Sequence, residues 1–147
     1  MSINIKSETK RFQLSGITVL ILFALSILFV GSCGGRTDQD SARQQQLEEI
    51  KGNVSQDING MINEIEGRIE IISEHIEESD GARKEQLEEL RSRLEEQIEA
   101  LETELDKVDE ADLETWNEVV ENTQETVNEV QSETNEVSQE VQDLINQ

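Results

Sequence analysis

Between Leu47 and Ile76 nine apolar residues stand at positions 47, 50, 54, 58, 61, 65, 69, 72 and 76, in repeated steps of three, four and four. Steps that average close to 3.6 keep all of them on one stripe of an α-helix, whereas a half-buried strand needs strict alternation. An eleven-residue repeat has about 3.67 residues per turn, the value of a straight or slightly right-handed stripe. A second run, Leu87, Leu90, Leu94, Ile98, Leu101, Leu105 and Val108, opens with the same steps. A third, Trp116, Val120, Thr123, Val127, Val130, Thr134, Val137, Val141 and Leu144, alternates four and three and is a heptad. The expected fold class is therefore all-α, with long amphipathic helices forming a coiled coil or a helical hairpin.

The seam has to be thin. Residues 33–147 hold 33 apolar residues among 115, about 29%, against the ~45–50% of ordinary globular domains. The same stretch carries 33 acids and 9 bases, a net of −24, within a chain of 147 residues and formal charge −22. Such a balance alone would point to disorder, but a disordered chain does not keep helical spacing over nearly a hundred residues. It also excludes a nucleic-acid binder, which needs a basic face to displace counterions from phosphates.

The seam is interrupted once clearly. Asp80 and Arg83 fall where the period calls for apolar residues, and Ser79-Asp80-Gly81 reads as a turn, with glycine suited to the positive φ of a helix end. Apolar positions on either side mirror one another about this point: 76 with 87, 69 with 94, 65 with 98, 58 with 105 and 47 with 116. An antiparallel hairpin would set these pairs level. A kinked rod packed against other copies is the other solution, since an isolated helix gains little from propensity. A second break is expected at 109–112, where an aspartate could cap a new start. The expected organisation is helix 1 over 44–78, a turn or kink over 79–82, helix 2 over 83–108 and an acidic helix 3 over 109–147. Gly52, Gly60 and Gly67 each cost helix 1 roughly 1 kcal/mol relative to alanine.

The first 32 residues differ in kind. Lys6, Lys10 and Arg11 precede a 17-residue apolar run from Leu14 to Val30, followed by small residues, which is the layout of an export signal. The sequence Val30-Gly31-Ser32-Cys33 resembles the lipobox of bacterial lipoproteins, although that family more often has leucine at Val30 and alanine or glycine at Ser32. The resemblance implies that residues 1–32 form a signal peptide, that cleavage precedes Cys33, and that Cys33 carries the acyl chains. Two or more chains anchor stably where one is marginal. The acidic body would lie outside the cytoplasm, because positive residues before the apolar run stay inside. In enterobacterial lipoproteins an aspartate after the cysteine favours the inner membrane. Here Gly34 follows, so an outer membrane is expected if the source has one. With its one cysteine used by lipid the body can form no disulfide. Residues 33–43, small and polar without a period, are expected to be a flexible tether.

In plan the chain is also similar to the murein lipoproteins of enterobacteria: acylated cysteine, short polar tether, heptad rod. Their terminal lysine, which joins peptidoglycan, has no counterpart, because no lysine follows Lys107 and the chain ends Leu144-Ile145-Asn146-Gln147. The cell-wall link is not carried over.

No constellation in the body points to chemistry. His75 has Glu74, Glu77 and Glu78 beside it, but neighbours one and two residues apart leave a helix from different faces. Trp116 falls on the seam and reads as a packing residue. Asn53-Val54-Ser55 matches a glycosylation acceptor pattern that means nothing in a bacterium. No catalytic triad spacing, phosphate loop or calcium loop occurs, so no enzyme, metal, cofactor or small-molecule substrate is expected. Residues 108–147 hold 12 acids and no base, so their charges are expected to go unpaired, unlike the mixed charges up to Lys107, and helix 3 is expected to be the least stable part. The functional expectation is a lipid-anchored structural spacer or assembly element of the cell envelope, associating with itself or with other envelope proteins. The alternative is an acidic binding module that docks a basic envelope or surface partner.

Overall fold

The computed structural model describes residues 36–146, with side chains described from Asp40 onward, and this part of the chain is all-helical. Three helices follow one another, α1 (Arg36–Glu78), α2 (Gly81–Glu110) and α3 (Trp116–Ile145), and no strand occurs among the described residues. At ~1.5 Å per residue, the 43 residues of α1 span about 65 Å, and the 30 residues each of α2 and α3 about 45 Å. The expected signal peptide and its lipobox, Val30, Gly31, Ser32 and Cys33, lie outside the described residues.

Only Ser79 and Asp80 separate α1 from α2. Gly81 takes φ +54°, a left-handed conformation in which a Cβ would crowd the carbonyl, and the Ser79 N–H donates to the Ile76 carbonyl at 3.3 Å. The chain folds back here. Lys51, early in α1, reaches the carbonyls of Asp109 and Ala111 at the end of α2, so the two helices run antiparallel. Thr123 and Glu104 meet at 3.0 Å, and Arg93 reaches Glu133, which sets α3 antiparallel to α2 and parallel to α1.

The second connection carries its own cap. One carboxylate oxygen of Asp112 accepts the N–H groups of Glu114 and Thr115, each at 2.9 Å, and lies 3.0 Å from the Thr115 hydroxyl. That hydroxyl in turn accepts the Asp112 N–H at 3.0 Å. This reciprocal arrangement satisfies donors that a helix start leaves open. It holds the Asp112 carboxyl below its ordinary range, chiefly through the Thr115 N–H, then the Thr115 hydroxyl and the Glu114 N–H. The third helix therefore starts at Trp116 rather than at 109, because α2 continues to Glu110 and the cap lies after it.

α2 is the wall shared by the other two helices: it packs along both, while α1 and α3 touch sparingly. On α3 every seam position from Trp116 to Val141 is buried, as the heptad requires, and Leu144 is half-buried. The first helix departs from the eleven-residue reading. Its buried positions are 47, 51, 54, 58, 61 and 65, in steps of four and three, followed by 72 and 76, whereas Ile50 and Ile69 are only half-buried. Lys51 takes the place expected for Ile50: its stem is covered along the seam, and its ammonium reaches the open carbonyls at the end of α2. On α2, Glu104 is buried (3% exposed) and its neighbour Leu105 half-buried, for a related reason given below.

Residues 36–43, expected to belong to a flexible tether, continue α1. The missing period reported an absence of packing, not of helix: no glycine or proline interrupts 36–51, and Ala42-Arg43-Gln44-Gln45-Gln46 are good helix formers. Residues 40–46 are all exposed, so this turn-and-more of helix projects past the bundle. The seam itself is filled within one chain, with Leu87, Leu94, Leu101 and Val108 fully buried without any second copy.

Candidate functional site

Among the described residues, four bases cross between helices. Lys51 donates to Asp109 at 2.7 Å and to Ala111 at 3.0 Å, and Arg83 donates to the Leu144 carbonyl. Each places a positive charge on the negative end of a neighbouring helix, α2 in one case and α3 in the other. Arg93 forks between two carboxylates of α3, with Nε 2.7 Å from Glu133 and Nη1 2.8 Å from Glu140. These bonds to Glu140 and Glu133 raise the guanidinium pKa further and keep it charged throughout. Arg68 of α1 donates to the Ser138 hydroxyl of α3 and to Glu64 at 2.7 Å.

These contacts correct one sequence expectation. The acids of the last forty residues are not all unpaired, because Arg93 of α2 reaches across to Glu133 and Glu140. Glu114, Glu118, Glu121, Glu125, Glu129 and Glu136 form no ion pair among the described residues. All six are exposed.

Inside the α2–α3 contact lies one polar layer. Glu104 accepts from Lys107 at 2.6 Å and from the Thr123 hydroxyl at 3.0 Å. Burying a carboxylate stabilises little by itself, but a partnered polar layer penalises any slip of one helix past the other. It fixes register where α3 has only threonine and valine to offer.

The α1–α3 contact is the loose one. Met61, Glu64, Ile65 and Arg68 face Gln131, Thr134 and Asn135 across a crevice. Arg68 Nε and Thr134 Oγ1 are buried there without a hydrogen-bond partner. Toward the α1–α2 turn the crevice widens to an open cleft of about 180 Å³, lined by Ile71 and Ile72 of α1, Leu94 of α2, and Val137, Val141 and Ile145 of α3. Ile71 is 52% exposed and Ile145 36%, the large hydrophobics left open to solvent among the described residues.

The other residues weighed from sequence fall on ordinary positions. Trp116 is buried (1% exposed) at the start of α3, and His75 is half-buried in the last turn of α1. No group of three or more His, Cys, Asp or Glu able to hold a metal occurs among the described residues, and no described helix is long and apolar enough to cross a membrane. The cleft at Ile71 and Ile145 escaped the sequence reading. Its signal was present as apolar residues out of register, Ile71 between seam positions 69 and 72 and Ile145 beyond Leu144. Comparison with family models, with curated proteins and with solved structures finds no match.

Proposed function

We propose that the chain is a lipid-anchored, extracytoplasmic spacer of a bacterial envelope, a three-helix coiled-coil rod held to the membrane through Cys33. The observation that carries this reading is that the apolar stripe is consumed within a single chain, leaving a long acidic rod whose described helix starts three residues after that cysteine. A rod with its seam satisfied needs no partner to stay folded, and its length is the property it supplies. The projecting helix before Leu47 would hold the bundle about 16 Å from the anchor point. Gly34 after the cysteine favours an outer membrane where the source has one. The cysteine, the branched apolar Val30 and the small Gly31 and Ser32 before it, and the apolar leader with its basic start support acylation at Cys33.

The test is metabolic labelling with a radioactive or clickable fatty acid in cells expressing wild type and Cys33→Ala. Label is expected on the wild-type chain and lost from the variant. Equal labelling of both removes the anchor and the spacer reading with it.

A further inference from the structure

We infer that the cleft between α1 and α3 at the end nearest the α1–α2 turn is a docking groove for a basic amphipathic helix. The inference is independent of the acyl anchor, which lies at the other end of the rod. Three observations converge on it. First, the large hydrophobics that stay exposed among the described residues, Ile71 and Ile145, are on opposite walls of one cleft, with Ile72, Val137 and Val141 between them. An apolar strip between two parallel helices is the seat a further helix takes when it lies along both. Second, the same interface leaves Arg68 Nε and Thr134 Oγ1 buried without partners one step along, so the α1–α3 contact is incomplete in polar as well as apolar terms.

Third, charge selects the occupant. The outer edge of the α1 wall is acidic, with Glu66, Glu70, Glu74 and Glu77 all exposed, and the α3 wall has amides, Asn135, Gln142 and Asn146. The cation of the cleft, Arg68, is already engaged by Glu64 and Ser138. The negative C-terminus of α1 also ends here, whereas that of α3 is met by Arg83. A second copy would bring the same acidic edge, on a chain of charge −22, against this one. A helix with an aliphatic stripe flanked by lysine or arginine satisfies both the strip and the edge.

The experiment uses the full chain in phosphatidylcholine nanodiscs and a fluorescein-labelled amphipathic helical peptide of leucine and lysine, followed by anisotropy with empty discs subtracted. Ile71→Glu is the decisive variant, because it adds negative charge while removing apolar surface. If the groove seats the peptide, affinity falls about tenfold despite the added charge. Gln45→Glu, which adds the same charge on the exposed projecting helix, leaves affinity within about twofold. Unchanged helicity by circular dichroism shows that the variants fold. Tighter or equal binding by Ile71→Glu, or equal binding of a leucine and glutamate peptide, overturns the proposal. So does a wild-type dimer that Ile71→Glu dissolves while the basic peptide fails to bind. Lipid labelling at Cys33 reads the anchor separately, so either result stands without the other.

Discussion

The same helix makes two very different contacts. Against α2, α1 packs along the seam beside leucines that are wholly buried, Leu87, Leu94 and Leu101. Against α3 it offers Met61, Glu64 and Arg68 to Gln131, Thr134 and Asn135, with two polar atoms unmet and a cleft at one end. The contrast means that α3 is held chiefly through α2, by a valine seam, the Glu104–Thr123 layer and the Arg93 fork. It also means that the α1–α3 side has the least to lose by accepting something new.

The strongest way to break the comparison is to damage the shared wall. Leu94 is fully buried on α2, and Leu94→Ala is expected to cost about 3 kcal/mol, enough to lower the melting temperature by roughly 10 °C in a calorimetric scan. Because the wall is common, all three helices should melt together. The opposite substitution sharpens the contrast. Thr134→Val keeps the shape of a buried side chain (7% exposed) while removing a hydroxyl that has no partner, and should stabilise by about 1 kcal/mol in urea titration. A loss of stability there would mean that water satisfies the crevice.

Arg93→Ala removes the fork that ties α3 to α2. Its side chain and those of Glu133 and Glu140 are 27%, 30% and 45% exposed, so screening limits the loss to roughly 0.5–1 kcal/mol. The gap from wild type should narrow in high salt, and amide exchange should quicken in the second half of α3 more than in α1. The smallest effect belongs to the cap. The Asp112 carboxyl titrates below its unfolded value, so its contribution is present while it is ionised at neutral pH and fades as pH falls through the folded value, below about pH 4. Asp112→Ala should therefore destabilise the start of α3 at pH 7 and differ little from wild type in strong acid, as read by amide exchange at residues 116–119.

How far the sequence could be read depended on what kind of signal each region carried. On α3 the buried set from Trp116 to Val141 was legible position by position, because nearly every seam residue there is an apolar side chain or a threonine among exposed glutamates and amides. On α1 extra isoleucines flank the seam, and the spacing of apolar residues selected Ile50 and Ile69 where burial follows Lys51 and straddles Arg68 and Ile69. A lysine gives no apolar signal, yet its stem fills a seam position once its ammonium has carbonyls to reach. Glu104 escaped for the same reason. The projecting helix at 36–46 escaped for the converse one, since periodicity marks packing and a solvated helix has none. Cys33 and the residues before it, which resemble a lipobox, lie outside the described residues, so that reading rests on the sequence resemblance and stays a proposal.

Helix identity and the presence of breaks near 79–82 and 109–112 follow from the sequence, because propensity, turn chemistry and capping act over a few neighbouring residues; that the first break is a reversal and that Asp112 is the capping residue came with the tertiary structure. Which bases answer the acids of α3, and which of the three helix contacts is left open, were decided only by tertiary structure. Those outcomes depend on groups 40 to 70 residues apart, such as Arg93 with Glu133 and Arg68 with Ser138. They also depend on the angle at which each stripe meets the next, and a one-dimensional period defines a face without saying which neighbour fills it.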